Sequence, residues 1–484
     1  MIPMRRMLRV LAIMLCAPAV VMCATTQEIG DPNDLDLPPN EPPSPPLVDN
    51  DGGPPLVNPD GGQPCTGLQC NVPTCAEGTT TTISGTVYAP NGRLPLPNVV
   101  VYIPNAPLAP LPRGVTCDRC GTLVSGNPMA AAITDTKGNF VLKDVPAGAD
   151  IPLVMQIGKW RRKITLPQVD ACKANLADPS DTGTDPSTKY SLITRLPRNQ
   201  QEGDLPKIAV TTGGCDPIPC LIPKLGLDAT EFGGGFSAKA VNFYGGANGG
   251  GPGNPPKAEV ALWKDLEKLK QYDVVLHSCE CDEHNQNKGD QVWTAMKQYV
   301  DMGGRLFTTD FGYTFIEDAP APWSQVATWA TDHDGGFPPP IPGGDYPINQ
   351  GFPKGKALAE WLDYTNGTTT PGMVNLPTVY GNAVGLDTKR ATPWVTELAD
   401  AGGAPKIFTF NSPVDVDADK QCGRVAFGDA HIFSQVENNV SSNFPAGCRE
   451  QMNDREKVIA FLFYDLTACV ISDLVPPEAP PIVK

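Results

Sequence analysis

A chain of 484 residues is too long for a single core and calls for two domains joined by linkers. Its formal net charge of −16 excludes simple electrostatic attachment to nucleic acid or to an acidic membrane surface. Fifteen cysteines, thirteen of them beyond Cys23, are out of place in a reducing compartment and point to disulfides.

Arg5, Arg6 and Arg9 precede the apolar run Val10 to Met22, which reads as a secretory signal over residues 1–23. Cys23 stands where a bacterial lipoprotein carries its acylated cysteine, although Met22 replaces the small residue expected before it; plain secretion, with cleavage after Ala19 or Ala24, is the other reading. Either route gives an exported protein: an outer-membrane lipoprotein, periplasmic or extracellular. No later stretch is long and apolar enough to cross a bilayer, so a lipid anchor is the one membrane contact expected. Residues 24–64 collapse to Pro, Gly, Asp and Asn and read as a semi-extended tether. Its Asp49 to Gly52 piece lacks the rest of a calcium loop and reads as solvated spacer.

Cys65, Cys70, Cys75, Cys117 and Cys120 gather around the start of the first folded region, residues 65–197. Cys117 and Cys120 form a CxxC, but no second CxxC or His pair completes a four-ligand zinc set, so disulfides are expected. An odd count leaves one thiol free or unusually paired. The runs 82–88 and 97–103 alternate like strands around a turn at 89–92, and 133–142 follows. This string, S-G-T-V-x-x-P-N-G-x-x-P-L-P-N-V-x-V followed by T-D-x-x-G-N-F-x-L-x-x-V-P-A-G, resembles the carboxypeptidase regulatory-like family, a transthyretin-type β-sandwich. Gly85, Gly92, Gly138 and Gly148 fall at its turns. The resemblance implies a non-catalytic scaffold or binding module. The basic run 160–163 reads as the solvated face of a strand, and the polar segment 197–204 as a cleavable boundary.

The second region, 205–472, opens with the strand and glycine turn at 205–214 and continues through an expected amphipathic helix over 258–271. Neither Gly213-Gly214 nor the Gly-rich stretch 245–253 carries a phosphate-binding motif. Residues 273–276 and 304–309 are short apolar runs typical of strands buried on both faces, and Val292, Ala295, Met296, Tyr299 and Val300 recur at helical spacing between them. Gly303-Gly304 ends that helix, giving one βαβ unit. Asn453 caps a last helix with a broad apolar face, and 473–484 is a Pro-rich tail. The fold class expected is therefore multidomain: a β-sandwich followed by an α/β domain with a mainly parallel sheet.

The helix ending in Tyr299 to Gly304, the strand 305–309 and the late Gly423 to His431 resemble the class I glutamine amidotransferase-like superfamily, nearest its ThuA-like branch, apart from a Pro/Gly/Trp-rich insertion near Trp323 to Gly385. That resemblance implies a nucleophilic Cys on a Gly-flanked strand-to-helix elbow, activated by a His. Cys279 follows a strand, but Ser278 and Glu280 flank it, and Phe433 stands where an active enzyme has Glu two residues after His431. A degenerate domain is implied. Nothing spells out the eight βα repeats of a barrel.

Ligands of open α/β sheets sit beyond the carboxyl ends of the strands, which places His277, Cys279, Thr309, Asp310, Asp429 and His431 at the mouth of a candidate pocket. His277, Cys279, Cys281 and His284 raise a metal hypothesis, set against separate disulfides for the two cysteines. Asp415, Asp417 and Asp419 open like a calcium loop that Lys420 and Ala426 break. No catalytic residue, metal set or cofactor is assigned. The leading expectation is a cell-surface binding or structural protein whose partner is a carbohydrate or cell-envelope component. The alternative is a hydrolase of extracellular glycan using Asp310 and Asp429.

Overall fold

The structure is a computed structural model that describes residues 65–183, 188–247, 249–330, 341–398, 403–431, 448 and 452–482. The signal run, Cys23, the tether with its Asp49 to Gly52 piece and part of the Trp323 to Gly385 insertion lie outside these.

The alternating segments of the first region become β1 (Thr82–Thr86), β2 (Val100–Pro104), β3 (Pro128–Ile133), β4 (Asn139–Lys143), β5 (Gly148–Ile157), β6 (Trp160–Val169) and β7 (Ala174–Leu176). They form two sheets, in the orders β4-β1-β7 and β3-β2-β5-β6. Ile83, Phe140 and Leu142 of the first join Val101, Leu153 and Met155 of the second in one apolar cluster. The β5–β6 hairpin turns at Gly158, φ +52°, where a Cβ would lie 1.9 Å from the Thr467 carbonyl oxygen. Only glycine lets this turn approach the last helix so closely.

The second region supplies β8 (Ile208–Thr212), β9 (Phe232–Gly234), β10 (Val241–Gly245), β11 (Val274–His277), α1 (Asp290–Asp301), β12 (Arg305–Thr309), β13 (Ala327–Trp329), β14 (Ile341–Pro347), α2 (Pro353–Tyr364), β15 (Met373–Val379), β16 (Ala383–Leu386), β17 (Thr392–Thr396), β18 (Pro405–Ser412), β19 (Gly423–Gly428) and α3 (Asp454–Thr467). Eight strands make one sheet in the order β17-β18-β19-β12-β11-β8-β10-β9. Pairing is parallel from β9 through β19, and antiparallel where β18 meets β19 and β17. Every residue of β8, β11, β12 and β19 is buried, as expected for strands covered on both faces. From β8 the chain first builds β10 on one side and then returns to build β11 on the other, so the sheet reverses direction at β8/β11.

The helix expected over 258–271 is interrupted. A π-turn covers Glu259–Trp263, and Asp265 then caps a separate turn at Leu266–Leu269 by accepting from the Lys268 amide. A short polar side chain that bonds its own backbone competes with helix continuation. The last helix starts as expected, with a full capping box between Asn453 and Glu456.

The two regions share a core rather than a linker. Trp160 is fully buried, with its ring 6.1 Å from Phe463 and 5.9 Å from Tyr464 of α3, and Trp361 Nε1 donates to the Pro95 carbonyl oxygen at 2.7 Å. Burial of aromatic side chains this size stabilises by roughly 1.5–3 kcal/mol each. The basic run is thus not a solvated face at its start: Arg161 is buried and pairs with Asp204 at 2.9 Å. Within the segment 197–204, Glu202 binds Arg195 at 2.6 Å and Arg198 binds Asp228 at 2.5 Å. The polar composition that marks this segment as a boundary serves to pin it.

Among the described residues six disulfides add covalent ties: Cys65–Cys70, Cys75–Cys172, Cys117–Cys422, Cys120–Cys469, Cys215–Cys281 and Cys220–Cys448. The CxxC cysteines each leave the β region for the α/β layer instead of pairing together or holding zinc. The described helices include none long and apolar enough to cross a membrane.

Candidate functional site

Three neighbouring strands, β11, β12 and β19, end on the same edge of the sheet, and their continuations carry the candidate residues. β12 runs extended to Thr309, and Asp310 then turns at φ +45° directly into the helical turns Asp310–Tyr313 and Thr314–Glu317. This is a strand-to-helix elbow with a carboxylate at its tip. Gly312 makes the turn possible, because a Cβ there would lie 1.9 Å from Thr308 Oγ1 and 2.7 Å from the His277 ring. The elbow sought at Cys279 is therefore at Asp310, and its tip carries no thiol.

Cys279 lies in the loop after β11, fully buried, and is the one free cysteine among the described residues. Of the separate disulfides expected for Cys279 and Cys281, only the second forms: Cys281, at φ +73°, pairs with Cys215 and joins the loops after β8 and β11 at the point where the strand order reverses. The Cys279 Sγ–H instead donates to Asp310 Oδ2 at 3.1 Å and accepts from the Cys281 amide at 3.4 Å. His431, just beyond β19, brings Nε2 within 2.8 Å of Asp310 Oδ2 and 3.4 Å of Cys279 Sγ. All three residues are buried.

Burial, followed by the Asp310 charge, pushes the Cys279 thiol well above its ordinary range. Burial alone would lower His431, but its bond to Asp310 and the nearby Asp216 carboxylate raise it. Thr309 Oγ1 donates to Asp216 Oδ2 at 3.0 Å, placing a further acid beside the cluster. Asp429 is joined through Asn382, whose Nδ2 donates to Asp429 Oδ1 at 2.7 Å and to Asp310 Oδ1 at 3.1 Å; the Ala383 amide donates to the other Asp429 oxygen at 3.2 Å. Burial raises Asp429 to about 8.

Five of the six candidates are thus linked by contacts at one edge: Cys279, Asp310 and His431 directly, Asp429 through Asn382, and Thr309 through its chain neighbour Asp310 and through Asp216. His277 stands apart. Its Nδ1 bonds Thr211 Oγ1 at 2.7 Å and its ring packs 4.6 Å from Phe315 and 5.5 Å from Trp263, so it is a structural histidine under the elbow. Burial lowers it well below the usual imidazole range. His284 bonds the Glu280 carbonyl oxygen and does not join a metal set with Cys281. Asp415 of the broken calcium loop pairs with Arg390 at 2.8 Å.

Sequence reasoning missed Asn382, Asp216 and Tyr380, whose ring packs 5.1 Å from His431. Asn382 and Tyr380 belong to the insertion, where no periodic pattern signals a site. The elbow left a trace, a β-branched run into Asp-Phe-Gly with glycine two positions after the acid.

The donor set can hold one metal ion, with Cys279 Sγ, Asp310 Oδ2 and His431 Nε2 all within 4.8 Å of one another. It does not form a thiol catalytic triad. In a triad the acid orients one imidazole nitrogen while the nucleophile uses the other. Here Cys279 and Asp310 meet the same Nε2.

No family model matches the chain, and no curated protein matches it. Among solved structures, it is similar to part of a type II cohesin–X-dockerin complex from Acetivibrio cellulolyticus, at 22% identity and TM-score 0.13 over 20% of this chain. The chain spans about half (51%) of that protein's length. It is also similar to a ThuA-like protein from Bacteroides uniformis, at 11% identity and TM-score 0.28, over 54% of this chain and 91% of the other. A third, a 9R-lipoxygenase from Cyanothece, covers 22% of this chain at 12% identity and TM-score 0.13. Similarities of this size carry no argument about fold or activity.

Proposed function

We propose that the chain is an exported binding protein in which an amidotransferase-like layer, without glutaminase activity, presents a ligand site at the β11/β12/β19 edge. A disulfide-stapled sandwich supports that layer. The observation that carries the reading is the convergence of Cys279, Asp310 and His431, from segments up to 152 residues apart, into one buried group. Export is supported by the signal-like N-terminus and six disulfides among the described residues. A carbohydrate or other cell-envelope component is the ligand class that suits a sandwich carried on a Pro-rich tether.

A second reading is favoured by one specific contact. Asn382 Nδ2 bridges Asp310 and Asp429 at 3.1 and 2.7 Å, and Asp429 is raised to about 8. An acid kept protonated next to a second carboxyl group is the arrangement glycoside hydrolysis uses. One experiment separates the two. The intact chain is applied to an array of cell-envelope glycans, with analysis of released products. Binding without product, lost in Asp310→Asn at unchanged thermal stability, supports the binding reading; product release lost in Asp429→Asn supports the hydrolase. Absence of both in the wild-type chain rejects a glycan ligand.

A further inference from the structure

The geometry points to a transition-metal site: Cys279, Asp310 and His431 form a three-donor set for one zinc-like divalent ion, with a fourth position left for water or a ligand group. This rests on the site proposed above and names what it holds.

The three donor atoms face one another in a closed triangle with sides of 2.8, 3.1 and 3.4 Å. Tetrahedral bonds of about 2.0–2.3 Å to sulfur, nitrogen and oxygen would set such atoms about 3.3–3.5 Å apart. The sulfur–nitrogen side already matches, and the others open by about half an ångström or less. The bonds around the donors are those that support ligands. Asn382 Nδ2 holds Asp310 Oδ1, which leaves Oδ2 turned to the triangle, and the Cys281 amide donates to the sulfur. Second contacts of this kind fix ligand orientation in metal sites.

Donor type and redox state agree. Carboxylate, imidazole and thiolate are the donor types that zinc-like ions take, and one of each meets here in a buried setting. Twelve described cysteines are paired, including Cys281 two positions on, while Cys279 is withheld. A buried thiol kept free next to a carboxylate and an imidazole serves metal ligation better than catalysis, because the shared Nε2 leaves no separate base for it. Binding replaces the Sγ–H bond to Asp310 with a sulfur–metal bond and releases that proton to solvent.

The test uses the intact, disulfide-bonded chain, freed of metal by chelator and titrated with Co²⁺ as a spectroscopic probe, then with Zn²⁺. The expected result is a thiolate-to-cobalt charge-transfer band saturating at one equivalent and erased by Zn²⁺. The near-isosteric Cys279→Ser should lose the band, and His431→Ala and Asp310→Asn should weaken Zn²⁺ binding by about tenfold or more. His284→Ala, whose ring bonds the Glu280 carbonyl oxygen outside the set, should leave binding unchanged. A wild-type chain with a verified free thiol that shows neither band nor bound metal overturns the inference without need of any variant. A band that persists in Cys279→Ser also overturns it. Metal binding with no glycan bound keeps this inference and rejects the carbohydrate reading alone; glycan binding by metal-free protein with no cobalt band does the reverse.

Discussion

The two edges of the main sheet bury charge in opposite ways. At the amino edge the buried acids Asp118, Asp273, Asp465 and Asp473 each meet a cation. Lys159 bridges Asp118 and Asp273 at 3.3 and 2.6 Å, and Arg424 and Lys354 together hold Asp465 and Asp473 at 2.5–3.2 Å. Although burial opposes it, these two cations hold the Asp473 carboxyl well below the usual carboxylate range. At the carboxyl edge Asp310 and Asp216 lie beside one histidine, and burial pushes Asp429, bridged to Asp310 by Asn382, up to about 8. Paired buried charge fixes the architecture at one edge, and acids gathered around one imidazole mark the candidate site at the other.

Removing a cation from the amino edge should have the largest effect. Arg424→Met leaves Lys354 alone against Asp465 and Asp473 in the interior, and breaking such a network is expected to cost about 3–5 kcal/mol, read from denaturant unfolding. An Arg424 variant as stable as wild type would mean that the pairing is incidental. Next in size are the staples between the regions. Cys117→Ser with Cys422→Ser should cost roughly 2–4 kcal/mol. A single proteolytic cut in 197–204 should leave the halves together on a sizing column even after a reductant is added; prompt separation under reducing, non-denaturing conditions would contradict the shared core.

At the carboxyl edge the contrast predicts a small effect on stability. Asp310→Asn keeps the side chain's size and tolerates the positive φ, and should change stability by less than about 1 kcal/mol while abolishing ligand binding. The smallest effect concerns pH. Glu317, on the helical turn after the elbow, is raised to about 7 by burial and then by Asp318 and Glu283. Its folded form prefers the proton, so its contribution is fully present below the ordinary carboxylate range and is lost as pH rises toward 7. Glu317→Gln should therefore stabilise by about 1 kcal/mol at pH 8, after discounting for partial exposure, and by nothing measurable near pH 4. Equal gains at both pH values would locate the effect elsewhere.

The parallel unit of β11, α1 and β12 was legible because doubly covered strands must be apolar throughout and the returning turn needs glycines. Asn453 announced α3 through local bonds that require no knowledge of the rest. The pairing of cysteines was not legible, since Cys117 and Cys120 find partners 305 and 349 residues away. Arg161 looked solvated because its counter-charge, Asp204, belongs to a different segment. The site was half legible: strand ends identify which residues share an edge, whereas Asn382 arrives from an insertion whose placement depends on tertiary contacts. The expected grouping around Cys279 failed for the same reason, since spacing along one loop favoured Cys281 and His284, whereas the fold brings Asp310 and His431 to its sulfur.

The Cys120–Cys469 bond spans 349 residues and joins the start of the fold to its end. For a protein held by one terminus while something tugs at the other, that bond is a mechanical shunt. Tension entering before Cys120 crosses directly to Cys469 and leaves, so the intervening chain, elbow and donor triangle included, lies off the line of force. The contacts among Cys279, Asp310 and His431 are thereby insulated from tension that enters ahead of Cys120 for as long as that one covalent bridge stays oxidised.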